Sequence, residues 1–130
     1  MKKLCLVVVL CFLASVAFAE YVPKVVELNY LERLMVLQLL PKEASYIEWK
    51  ILNDIKLQLS PTEEEIKAVD MKPADNGGVI ANWDAVIKEI TFGEVSEKWV
   101  VDALNNLDRQ KKLIPEQLSL YEKFIVTKKE

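Results

Sequence analysis

Histidine occurs nowhere in this chain, which removes the commonest general base and the commonest metal ligand together. Cysteine is almost as scarce. The two present, Cys5 and Cys11, lie in the first eleven residues, so the rest of the chain has no disulfide, no thiol nucleophile and no Cys/His zinc site. No Gly-x-Ser-x-Gly elbow and no Ser-x-x-Lys motif is present, and no glycine loop ends in Gly-Lys-Ser/Thr. These absences point away from an enzyme and call for neither cofactor nor metal.

The cysteines fall in the opening stretch MKKLCLVVVLCFLASVAFA. Lys2 and Lys3 form a positive start, Leu4 to Leu13 an apolar run, and Ala17-Phe18-Ala19 a small-x-small cleavage signature. This layout predicts a secretory signal at residues 1–19, cut after Ala19. The apolar run from Leu4 to Ala19 is 16 residues long, short of the roughly 20 needed to span a bilayer. Contact with a membrane is therefore expected only in transit, and the destination is periplasmic or secreted. Residues 20–130 then form one small domain. Without Lys2 and Lys3 the 17 basic residues become 15 against 20 acidic ones, a net charge of −5. That balance disfavours nucleic acid, whose binding depends on neutralising phosphates.

What the chain does have is a dense apolar segment, Leu28 to Leu40 (LNYLERLMVLQLL). Nine of its thirteen residues are apolar, and only Asn29, Glu32, Arg33 and Gln38 interrupt them. Apolar residues on nearly every side of a helix imply burial on most sides, so Leu31 to Leu40 is read as the central helix. Asn29 with Glu32 makes a capping box at its start, and Pro41 ends it. Ser45 with Glu48 opens a second helix to about Gln58. Ser60-Pro61-Thr62-Glu63 reads as N-cap, N1 and N3 of a third, running to about Val69. Asp75-Asn76-Gly77-Gly78 reads as a turn rather than a calcium loop, because it lacks alternating acidic ligands. Val79 to Trp83 and Ile87 to Phe92 suggest the strands of a β-hairpin, while Glu20 to Glu27 reads as an extended lead-in. A long helix follows from Glu94 or Glu97 to about Lys111. Pro115 starts the last, with Leu118, Tyr121 and Ile125 on one side, widened by Leu120 and Phe124. The expected fold is mostly helical α+β: about five helices with one β-hairpin packed against them.

Few side chains are left over for chemistry. The densest carboxylates, Glu63, Glu64, Glu65 and Asp70, begin or follow a helix, where the macrodipole favours negative charge. Aromatic residues are the remaining candidates for contact: Trp49, off the best apolar face of its helix, Trp83, at the tip of the proposed hairpin, and Tyr46 form the expected binding surface. Glu32-Arg33-Leu34, Leu40-Pro41-Lys42-Glu43, Leu59-x-Pro61-x-Glu63-Glu64-Glu65, Trp83, Lys112-Leu113 and Leu120-Tyr121-Glu122-Lys123-Phe124 together resemble an uncharacterised domain of small phage and bacterial proteins. The resemblance covers Leu28 to Ile125 and implies no activity, ligand or catalytic residue.

The function expected is a non-catalytic, exported interaction module that binds an unknown protein partner. A winged-helix-like regulatory module is the alternative, and a small carboxylate-dependent hydrolase stands third. Export makes one direct prediction: the intact mass of protein recovered outside the cytoplasm should correspond to a chain beginning at Glu20. An uncut chain in the cytoplasm would contradict it.

Overall fold

The computed structural model describes residues 21–127; the segment 1–19, read from the sequence as a secretory signal, lies outside them. The described chain begins with strand β1 (Lys24–Asn29) and three helices, α1 (Tyr30–Leu39), α2 (Tyr46–Leu59) and α3 (Glu63–Val69). A small hairpin of β2 (Lys72–Pro73) and β3 (Val79–Ile80) comes next, then a 3₁₀ turn (Trp83–Ala85) and β4 (Ile87–Phe92). The 16-residue helix α4 (Glu94–Arg109) precedes a 3₁₀ turn (Pro115–Gln117), α5 (Leu118–Tyr121) and a π turn (Glu122–Val126). The architecture is mostly helical α+β, with a two-stranded antiparallel sheet packed against the helices.

The partners in that sheet differ from the expected hairpin. Ile87–Phe92 pairs with Lys24–Asn29, from Lys24 opposite Phe92 to Asn29 opposite Ile87. Val79–Ile80 folds back on Lys72–Pro73 instead, around the 74–78 turn. Alternation explains the choice. In β1, Val26 and Leu28 are buried while Val25 and Glu27 are exposed; in β4, Ile90 and Phe92 are buried while Glu89 and Thr91 are exposed. Two strands with one apolar face each cover the helices together, whereas Val79 and Ile80 both face solvent. The predicted turn at Asp75–Gly78 is present: Gly77 has φ +84°, Ala74 N donates to Gly78 O, and Asn76 Oδ1 accepts from Gly78 N.

The core joins the first and last elements of the described residues. Leu28, Val36, Leu52, Leu59, Ile90, Phe92, Val100, Leu104, Leu120 and Phe124 are all fully buried. Phe92 meets Phe124 edge to face at 5.0 Å, fastening the last helical segment to the sheet. Leu120, Phe124 and Ile125 carry this contact, while Leu118 remains 53% exposed, so the buried side of the last segment differs from the expected one. The 3₁₀ turn before it and the π turn after it break the 3.6-residue period on which that expectation rested. At the start of the described chain, the Tyr21 hydroxyl donates to Glu97 on α4.

Two capping boxes stand as read: Asn29 with Glu32 for α1, and Ser45 with Glu48 for α2. The third is displaced. Ser60 ends α2, its N–H and hydroxyl both donating to Lys56 O, while Thr62 caps α3 in a box with Glu65. Glu65 takes this role because it also meets Arg33, which is fully buried on α1. Arg33 Nε donates to Leu59 O at 3.1 Å and Nη2 to Ser60 O at 2.9 Å, while Nη1 and Nη2 both reach the Glu65 carboxylate.

The hydrogen bonds from Arg33 hold the Glu65 carboxyl down at about 2, from an ordinary 4.5. A depressed folded-state value means that this stabilisation is complete above the unfolded value and is lost as pH falls through the folded one. Acid titration of the native protein should therefore show a stability loss between about pH 4.5 and 2 that Glu65→Gln abolishes. At neutral pH, Glu65→Ala should cost roughly 3–5 kcal/mol in denaturant unfolding, because it strands a buried guanidinium charge.

Candidate functional site

Helix α2 leaves its first turn unburied. The Ser45 box fixes where that turn begins, and Leu52, Ile55 and Leu59 face the core from the turns that follow. Tyr46, Ile47 and Trp49 consequently lie outside the packed face, 75%, 69% and 39% exposed. Tyr46 and Trp49 are three residues apart and so share one side of the helix; Ile47 flanks them. Lysines steady both rings, with Lys50 Nζ at 4.9 Å from the Tyr46 ring centre and Lys56 Nζ at 5.5 Å from that of Trp49.

Trp83 does not join this group. Its ring stacks on Tyr30 at 5.9 Å, and the adjoining Asp84 accepts from Asn29 Nδ2 at 2.9 Å. Tyr30 begins α1 one turn before Arg33, which bonds the C-terminal end of α2. Trp83 and the Tyr46–Trp49 pair therefore sit towards opposite ends of α2, whose Trp49-to-Leu59 portion alone runs about 15 Å. Of the expected surface, Tyr46 and Trp49 come together and Trp83 closes a seam between α1 and the 3₁₀ turn.

The carboxylates divide in the same way. Glu65 is committed to Arg33 and to the α3 cap, Glu63 and Glu64 are exposed, and Asp70 pairs with Lys72 at 3.1 Å in solvent. No group of three or more metal-binding side chains occurs among the described residues.

One polar cluster was not anticipated. Glu32, 5% exposed, accepts from Asn29 N, from Ser119 Oγ at 2.9 Å and from Lys123 Nζ at 2.8 Å. Lys123 Nζ also donates to Glu27 O, and Lys24 Nζ donates to Lys123 O. A serine, a lysine and a carboxylate within hydrogen-bond reach resemble catalytic parts. Here, however, the serine and the lysine both point at the same carboxylate rather than at each other, so the lysine is not placed to take the serine's proton. The cluster clamps the end of the chain to α1 and β1. The sequence signal for it was the Glu32-Arg33 pair inside an otherwise apolar helix, which demands buried partners.

A groove of about 280 Å³ runs between α2 and the start of α4, lined by Ile51, Ile55, Thr91 and Val95, with Asp54 and Glu94 among its other walls. Comparison with known proteins adds nothing to this geometry: no family model, curated protein or solved structure matches the chain.

Because Trp83 packs on Tyr30, Trp83→Ala should lower unfolding stability by about 1–2 kcal/mol, seen as a lower denaturant midpoint. An unchanged midpoint would return Trp83 to the candidates for a contact surface.

Proposed function

We propose that this chain is an exported, non-catalytic module that binds a protein partner through the first turn of α2. One observation carries the reading: Tyr46, Ile47 and Trp49, three large apolar side chains within four residues, are exposed on a helix whose core face is already complete. Tryptophan and tyrosine dominate the energetics of protein interfaces, offering large contact area with little side-chain entropy to lose. Capping and the lysines over the rings hold the surface in place, so little ordering is required on binding. The charge balance supports a protein partner over a phosphate-bearing one, since α3 shows Glu63 and Glu64 to solvent. A hydrolase reading loses support because Glu65 is committed to Arg33.

The double change Tyr46→Ala/Trp49→Ala tests this. Saturable binding to components of the compartment that receives the protein should weaken by at least about 30-fold. The unfolding midpoint should stay within about 0.5 kcal/mol of native, as for other surface changes. Full-strength binding by the doubly substituted protein would place the contact surface elsewhere.

A further inference from the structure

Strand β4 has one edge bonded to β1 and one facing away. Thr91 turns its peptide groups to the outer edge, where the Gln58 side chain holds both: Thr91 N donates to Gln58 Oε1 at 3.0 Å, and Gln58 Nε2 donates to Thr91 O at 3.3 Å. The two-residue period of a strand sends the peptide groups of Glu89 and Ile87 to that same edge. An independent contact fixes the same parity. Glu27, opposite Glu89 in the register, turns its carbonyl outward from the far side of β1, to Lys123. Among the described residues, no hydrogen bond reaches the outward peptide groups of Glu89 or Ile87.

Carboxylates predominate around this edge, and the ammonium of Lys88 on the same strand is engaged with the Gln58 carbonyl at 3.0 Å. Glu27 and Glu89 lie directly opposite on the exposed face of the sheet, a destabilising pairing of like charges, and neither side chain has an ion-pair partner among the described residues. Beyond Thr91 the edge opens into the groove between α2 and α4, whose apolar lining (Ile51, Ile55, Val95) is accompanied by Asp54 and Glu94.

We propose that the free edge of β4 receives an extended, lysine- or arginine-bearing segment of a partner protein as a third strand of the sheet. The segment pairs with the peptide groups of Ile87 and Glu89, sets a cation beside Glu89, and runs into the groove with an apolar residue against Ile51 and Val95. Main-chain bonds supply affinity in such strand addition, and the alternate side chains supply selection. Gln58 holds the place of that strand at Thr91: its primary amide imitates one peptide group and can be displaced bond for bond. Glu89 steers the edge away from a second copy of this acidic chain, since β4 pairing antiparallel on β4 about Glu89 would set Glu89 against its own copy.

The probe is a capped heptapeptide of alternating lysine and valine. Controls are its glutamate/valine counterpart and a version N-methylated on every residue, which removes the main-chain donors of both edges. Amide hydrogen exchange and chemical-shift titration are read residue by residue on the native protein. The lysine peptide should slow exchange at Ile87 and Glu89, and the glutamate peptide should not. Glu89→Lys should weaken binding about tenfold or more, by turning attraction into repulsion. Gln58→Ala should tighten binding and extend protection to Thr91. An N-methylated peptide that binds as well as its parent would overturn the proposal, because charge alone would then suffice. So would protection of Ile87 and Glu89 that rises with protein concentration in the absence of peptide, which would make the occupant a second copy.

Discussion

The buried guanidinium of Arg33 is the constraint on which the rest of the fold depends. A cation fully enclosed by protein costs several kcal/mol unless every donor is matched. Here Nε and Nη2 reach the carbonyls of Leu59 and Ser60, and Glu65 supplies the countercharge. Those carbonyls are among the groups a helix leaves unpaired at its C-terminal end, where the macrodipole is negative. One side chain thus closes the end of α2, neutralises itself, and fixes the corner at Ser60-Pro61-Thr62 through which α3 begins. Glu65 completes the arrangement by accepting from Thr62 N at 3.0 Å, so the cap of α3 and the charge balance of α1 share one carboxylate.

Glu32, the neighbouring residue, settles a different junction. Successive residues on a helix point about 100° apart. Glu32 accordingly turns away from Arg33, towards Ser119 and Lys123. Two adjacent opposite charges therefore serve separate seams, one to α2 and α3 and the other to the end of the chain. The central helix holds polar anchors on two sides and apolar contacts on the others, which is why Gln38 is its one exposed residue. It also explains how the domain closes without a disulfide: the last helical segment is fastened by Phe124 against Phe92 and by Lys123 against Glu32 and the Glu27 carbonyl.

What could be read from the sequence was whatever is decided within a few residues. The Asn29 and Ser45 capping boxes, the Gly77 turn, the one-faced alternation of Ile87–Phe92 and the all-round apolar character of α1 are local, and they stand. Ser60-Pro61-Thr62-Glu63-Glu64-Glu65 contains two overlapping boxes, one from Ser60 and one from Thr62. Nothing within it chooses between them; the choice is made by Arg33, more than twenty residues earlier. The β1–β4 pairing was hidden for the same reason. A strand shows its exposed and buried faces in its own residues but not its neighbour, and the partner of Ile87–Phe92 lies about 60 residues away rather than across the nearest turn. Trp49 was legible as a residue off the apolar face of its own helix. Trp83 belongs to no long helix or strand and gave no such cue, so its stacking on Tyr30 could be found only in three dimensions.

Helix α2 links these constraints to recognition. Its first turn carries the exposed aromatic surface, and Gln58, near its other end, holds the outer edge of β4. The helix is fixed at both ends, by the Ser45 box and by Arg33, and Leu52, Ile55 and Leu59 press it on the core between them. A partner engaging either end meets a surface that need not fold or reorient, so the cost of ordering falls on the partner's segment alone. The same rigidity restricts communication between the two ends. With α2 fixed at both ends, contacts at the first turn and at the β4 edge should combine through their proximity on one helix.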